Sequence, residues 1–308
     1  MSDRRSIITI TGDLGSGKST VSAILAESLN YRKFSTGDLQ RNLAREKGMT
    51  SLELNKFTED HPEIDREIDA GVVKLAENNS RIIIDSRLAW HFVPDSFKVY
   101  LTVDPMTASS RILSAYRGEE EQYSSLEEAC DQLTQRRASE KLRFKLLYDI
   151  EIDDPRNYSV IVDTTFANPD EVAGKIIEAY NDWRSSTLTV KAWFNPKRLF
   201  PTKTIDDREN QAIIRRKYDA DLPVIIVKSD DNYFIYDGHR RVSAAIASDS
   251  LFIPCVIMAV NDEFVAGGMT AGEFVRDNFS ISKARAWEDT HGIAYTHVPE
   301  IRTRLKND

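Results

Sequence analysis

Along the first 180 residues, short apolar runs alternate with longer stretches patterned at helical spacing. Ile7–Thr11 reads as a buried strand, Ser19–Leu29 as a helix, and Arg81–Asp85 (RIIID) as a second buried strand. Lys98–Val103 (KVYLTV) and Ser159–Asp163 (SVIVD) read as two more. Helical stretches fall between them at Asp38–Lys47, Pro62–Glu77, Thr107–Tyr116 and Leu126–Leu147. Ser124 and Glu127 have capping-box spacing at the start of the last, and Asn168-Pro169 opens a further helix to about Asp182. Alternating strands and helices predict an α/β unit, a parallel sheet covered on both faces.

The pattern changes near Ser185. The stretch "RSSTLTVKAWFNPKRLFPT" is polar and carries prolines, so we place a boundary there: domains 1–184 and 185–308. Beyond it come "LPVIIVK", "NYFIYDGHRR", a helical "RVSAAIAS" and "LFIPCVIMAV", which predict a smaller α+β unit. The tail, Thr270–Asp308, is expected to be helical.

Length supports two domains, since 308 residues exceed a usual single core. No apolar run approaches the roughly 20 residues of a membrane helix, and the N-terminus lacks signal-peptide features, so no membrane partner is expected. Two distant cysteines, Cys130 and Cys255, suit a reducing cytoplasm and make no metal or disulfide pattern. The net charge of −8 is uneven: residues 1–182 carry 23 Lys+Arg against 32 Asp+Glu, and residues 183–308 carry 18 against 17. Neither part is basic enough to advertise nucleic-acid binding, whereas a small anion needs only a local basic pocket.

Gly12-x-x-x-x-Gly17-Lys18-Ser19 fits the Walker A pattern, with a strand before it and a helix after it. Gly12, Gly15, Ser16, Gly17, Lys18, Ser19 and Thr20 are therefore expected to bind ATP. Backbone N–H groups and the helix N-terminus would cradle phosphate oxygens. Lys18 would reach the β- and γ-phosphates, and Ser19 would hold Mg²⁺. "STGDLQR" (Ser35–Arg41) starts a helix, and "IIIDSRLA" ends a strand at Asp85 and then offers Arg87. Asp85 suits a Mg²⁺-bound water, and Arg41 with Arg87 would clamp an acceptor phosphate. In "RRASEKLRF", Arg136, Glu140 and Arg143 share one helix face. Arg111 and Arg117 lie upstream, flanking the loop at 118–125. Arginines on a closing segment would offset charge in phosphoryl transfer.

With these residues in place, the first 180 residues resemble nucleoside monophosphate kinases, and among them cytidylate kinases of the archaeal type. The likeness rests on the glycine loop, "STGDLQR", "HPEIDREID" (His61–Asp69), "DSRLA", Arg136-x-x-x-Glu140-x-x-Arg143-Phe144, "YDIEIDD" (Tyr148–Asp154) and "VIVDTT". It implies a P-loop kinase fold, a five-stranded parallel sheet with helices on both faces and a lid. It implies transfer from ATP, with Mg²⁺, to CMP or dCMP. It puts Arg41 and Arg87 on the monophosphate, with Ser35, Asp38 and Glu140 in the acceptor site. Asp65 and Asp69 fall beside the acceptor, where a carboxylate would accept from a cytosine or an adenine amino group. Arg117, Arg136 and Arg143 fall around the transferred group.

The second part holds another candidate anion site. In "YDGHRR", Gly238 allows close backbone approach, and His239, Arg240 and Arg241 stand at a predicted helix start near Arg240. "FNPKRLFPT" (Phe194–Thr202) and Leu222–Met258 resemble the ParB/sulfiredoxin-like nucleotide-binding domain. That resemblance implies a second nucleotide. No cysteine stands in "DGHRR", which argues against sulfiredoxin chemistry. Two alternatives stay open: a CTP- or ATP-responsive module fed by its own kinase, with DNA or a protein as its partner, and a second small-molecule phosphotransferase using Asp206, Asp207 or Glu209.

Overall fold

The computed structural model describes residues 6–114, 125–203, 222–293 and 295. The chain divides into two compact units, Met1–Thr189 and Val190–Asp308.

The first unit is built on a parallel sheet. Its strands are β1 (Ile7–Gly12), β2 (Arg32–Ser35), β3 (Ile82–Asp85), β4 (Phe97–Thr102) and β5 (Val160–Asp163), in the order β2-β3-β1-β4-β5. β1 is buried on both faces: Ile7, Ile8 and Ile10 are fully buried, and the β-branched Thr9 and Thr11 are buried between and after them. β2 sits at the edge, where Arg32 and Lys33 reach water. The helices are α1 (Lys18–Leu29), α2 (Thr36–Glu46), α3 (Ser51–Asp60), α4 (Pro62–Asn78), α5 (Ala89–Phe92), α6 (Pro105–Ser114), α7 (Leu126–Tyr148) and α8 (Pro169–Arg184). Val72 and Ala76 of α4 and Ala89 of α5 pack on Ile7, Ile82 and Ile84. α1 packs on β3 and on α8.

Several helix starts differ from expectation: α1 begins one residue early at Lys18, and α2 and α6 two residues early at Thr36 and Pro105. α7 is capped by Ser125, whose hydroxyl accepts from Glu128 N at 3.1 Å, not by Ser124 with Glu127. α3, which the pattern did not predict, starts from a capping box of Thr50 and Glu53.

Register gathers chemistry at the carboxyl edge of the sheet. Asp85 is level with Ser35 on one side and Ile10 on the other, and Gly12 is level with Leu101. Ligands of open parallel sheets bind at this edge.

The second unit mixes strands and helices. β6 (Ala192–Phe194), β7 (Leu199–Pro201), β8 (Val224–Ser229), β9 (Asn232–Asp237) and β10 (Ile253–Val260) run in the order β6-β10-β8-β9-β7. Pairing is antiparallel for β6–β10 and β8–β9, and parallel for β8–β10 and β7–β9. Phe200, Val227 and Phe234 form its core with Phe274 and Val275 of the helix Ala271–Asn278. The tail is helical as expected through Ile281–His291, and residues 296–308 lie outside the described residues. Among the described residues no helix is long and apolar enough to cross a membrane.

Candidate active site

The glycine loop leaves β1 and enters α1 at Gly17, with its three glycines serving different needs. A Cβ on Gly12 would lie 2.1 Å from Leu101 O, so the loop starts where backbone meets backbone. A Cβ on Gly15 would lie 2.8 Å from Ala108 on α6. Gly17 has φ +81° and nothing within 4 Å of a Cβ. It caps α1 in the left-handed conformation and faces open space, where an anion would sit.

A residue inside the loop anchors it. Asp13 is buried, accepting from Tyr100 OH and Thr102 Oγ1, each at 2.8 Å, and from Val103 N at 3.2 Å. Arg137 on α7 lies 3.2 Å from the same carboxylate. Sequence reasoning missed Asp13, a variable position of the pattern, and Arg137, the neighbour of the arginine it chose.

Lys18 now turns back on the loop, its Nζ donating to Gly12 O at 2.9 Å and Asp13 O at 2.6 Å. Burial and then the Arg87 charge lower its pKa to about 7, against the pull of Asp85, Asp13 and Glu140. Arg87 donates to Gly12 O at 2.6 Å and pairs with Glu140 at 3.0 Å. Arg136 meets the other oxygen of Glu140 at 3.2 Å. Burial would raise the Glu140 carboxyl, but Arg87, Arg136 and Arg143 together hold it below the usual range.

One cleft is lined by Gly15, Gly17, Lys18, Ser19 and Thr20 of the loop, together with Ser35, Arg41, Asp85, Arg87 and Arg136. Buried Ser16 holds the loop from beneath, its hydroxyl donating to Asp13 O at 2.7 Å. Ser35 caps α2 by accepting from Asp38 N at 3.3 Å, and Arg41 pairs with Asp38 one turn on. Four cationic side chains face two hard oxygen donors, Ser19 Oγ and the Asp85 carboxyl, which burial raises. This lining suits a polyphosphate. The two oxygens suit Mg²⁺, which takes few protein ligands and leaves its other positions to phosphate and water. Among the described residues no three His, Cys, Asp or Glu side chains cluster as a metal cage.

The arginines of α7 do not act as one set. Arg143 is buried, pairs with Asp65 at 2.9 Å and donates to Thr58 Oγ1 at 2.8 Å. It therefore faces the residues expected beside the acceptor, not the phosphate cleft where it was predicted. Asp65 is raised by burial, and Asp69, bonded by Tyr148 OH at 2.6 Å, is raised by burial to about 6. Arg111 is spent on structure, donating to Thr164 O at 2.7 Å and Thr165 O at 3.2 Å. Arg117 lies outside the described residues.

In the second unit Gly238, at φ +102°, caps the helix His239–Ala247, which starts one residue earlier than predicted. His239 is not a cationic ligand group. It is buried, and its Nε2 accepts from Thr202 N and Lys203 N, each at 3.1 Å. Arg241 closes the turn, reaching Leu222 O at 3.1 Å and Asp237 at 3.2 Å, while Arg240 is exposed. Asp206, Asp207 and Glu209 lie outside the described residues.

Comparison with known proteins bears on the first unit. A protein-family profile described as an AAA domain matches residues 8–133. A cytidylate kinase of Natronomonas pharaonis is 37% identical over 177 residues, 57% of this chain and 89% of the relative. One of Sulfurisphaera tokodaii is 35% identical over 176 residues, 56% of this chain and 94% of the relative. An S-adenosylmethionine-dependent nucleotide dehydratase of Lacinutrix mariniflava is 34% identical over 174 residues, 56% of this chain but 35% of that protein.

Proposed function

The chain belongs to the cytidylate kinase family through its first unit, and on that premise we propose that this unit converts CMP or dCMP to the diphosphate. It is a nucleoside monophosphate kinase that uses ATP and Mg²⁺. The observation that carries the acceptor reading is the shared cleft, in which loop residues meet Arg41, Arg87 and Arg136.

Ser19 and Asp85 would hold Mg²⁺, which when bound draws charge from the phosphate oxygens. The chain's own groups supply the rest. Lys18 and Arg87 now donate to loop carbonyls, and phosphate oxygens entering the cleft would compete for the same donors. Turning those donors onto phosphate exchanges neutral acceptors for charged ones, and charge-assisted bonds are roughly twice as strong. Glu140 keeps Arg87 and Arg136 side by side, so both are aligned before substrate arrives. On this reading Asp65 and Asp69, held by Arg143 and Tyr148, would supply the polar groups beside the acceptor base. A panel of CMP, dCMP, UMP, AMP and GMP with ATP and Mg²⁺, followed by product chromatography, tests this. Conversion of UMP, AMP or GMP in preference to the cytidine nucleotides overturns it.

For the second unit we propose a ParB/sulfiredoxin-like module that binds CTP or ATP at the turn bearing Arg240, in a cytoplasmic protein. In the Lacinutrix relative a segment similar to the first unit is likewise part of a longer protein. Calorimetric titration of the full chain with CTP and with ATP tests it. Heat that survives Lys18→Ala and disappears with Arg240→Glu supports the module, and heat indifferent to Arg240→Glu removes it.

A further inference from the structure

Lys33 stands on the edge strand β2, two residues before Ser35, and its side chain reaches the first turn of α1. Its ammonium donates to Ser19 O at 2.9 Å and to Ser19 Oγ at 3.3 Å. Ser19 Oγ is one of the two hard oxygens of the cleft. The other, Asp85, lies within range of its charge: burial raises this carboxyl, and Lys18, Arg87 and then Lys33 pull it down. A compact ammonium with three donors thus holds one of the groups that would take a divalent ion and lies within charge range of the other.

We propose that Lys33 is a resident cation of the metal site, lying against Ser19 Oγ in the free protein and moving off when metal and nucleotide enter together. The inference rests on the reading that Ser19 and Asp85 take Mg²⁺. Its consequence is an order of events. A bare divalent ion must displace a like charge and binds poorly. An ion arriving on a polyphosphate brings negative charge that relieves the repulsion and gives the freed ammonium a new partner. The bond to Ser19 O, an oxygen outside the proposed pair, keeps Lys33 near after it leaves the hydroxyl.

The probe is Mn²⁺ alone, added to the full chain without nucleotide and counted by the electron paramagnetic resonance of the free ion. Lys33→Met should bind Mn²⁺ about three- to tenfold more tightly than the parent, the range for one exposed, salt-screened charge beside a divalent ion. Lys33→Arg, which keeps the charge, should stay near the parent. Asp85→Asn should abolish the binding. Equal or weaker binding in Lys33→Met, with loss in Asp85→Asn, overturns the role of Lys33 and leaves the metal reading standing. Undiminished binding in Asp85→Asn overturns both. Lys33 is exposed, so the substitutions leave the core intact.

Discussion

Arg87 Nε lies 3.0 Å from Glu140 Oε2, while Nη1 of the same guanidinium donates to Gly12 O at 2.6 Å. One side chain thus joins the start of the phosphate loop to the middle of α7. Glu140 is the buried counter-charge for Arg87 and for Arg136, so its removal leaves two guanidinium groups without their shared partner. Glu140→Gln should cost about 1–3 kcal/mol of stability, less than a fully dry pair because both arginines touch water. It should also lower kcat/KM for the acceptor about tenfold or more, through misplaced arginines. Urea unfolding beside initial rates at varied CMP checks both. A variant with parental rates shows that Arg87 and Arg136 need no such alignment.

Lys18 carries a pH signature. Burial lowers its ammonium to about 7, and phosphate restores the charge by bringing negative oxygens. Above pH 7 the free protein has largely lost that proton and the complex regains it, so binding takes up a proton and ATP affinity falls as pH rises. At pH 8 calorimetry in Tris and in HEPES should report uptake of about half a proton or more per ATP. Lys18→Ala should abolish both the uptake and phosphoryl transfer. Equal heats in the two buffers would mean that Lys18 keeps one protonation state on binding, and would remove this coupling.

The glycines separate folding from binding. Gly12→Ala drives a Cβ to 2.1 Å from Leu101 O, and neither backbone can yield without parting β1 from β4. It should cost about 3 kcal/mol or more. Gly17→Ala meets no atom within 4 Å and pays only for its positive φ. It should fold with a loss of about 1 kcal/mol, yet bind ATP weakly because the methyl fills the phosphate's place. Circular dichroism melts and nucleotide titration distinguish the two, and equal melting losses would sink the distinction.

What the sequence made legible follows from how local each signal is. β1 and β3 are buried on both faces, so they read as isoleucine-rich runs, broken in β1 only by the strand-forming Thr9 and Thr11 and closed in β3 by Asp85. β2 is an edge strand whose exposed Arg32 and Lys33 erase that signal, leaving a short apolar segment before "STGDLQR". The capping box of α3 was present as Thr50-x-x-Glu53 and passed unread. "SSLEE" carries two overlapping cap registers, and sequence alone does not choose between Ser124 and Ser125. Arg143 shares a helix face with Arg136 but stands seven residues on, about 10 Å along the axis. That distance moves it from the phosphate cleft to Asp65 and Thr58. The anchors of Asp13 come from β4, some ninety positions away, and nothing near Asp13 announces them.

His239 offers the sharpest test in the second unit. Two main-chain N–H groups point at Nε2, so the ring proton is on Nδ1 and the imidazole is neutral. Burial, aided by Lys203, lowers its pKa to about 4 against the pull of Asp237. The unfolded ring titrates at the ordinary 6.5. Between those values the unfolded chain binds a proton that the folded one refuses. The stabilisation is whole above pH 6.5 and is lost as pH falls towards 4, up to about 3 kcal/mol. His239→Gln removes the titration and keeps a carbonyl acceptor for one N–H. It should be less stable than the parent by about 1–2 kcal/mol at pH 7.5 and close to it at pH 4.5. Urea unfolding of the full chain at both values, followed by tryptophan fluorescence, checks this. A gap of the same size at both values would mean that this ring does not hold the backbone of Thr202 and Lys203 as a neutral acceptor.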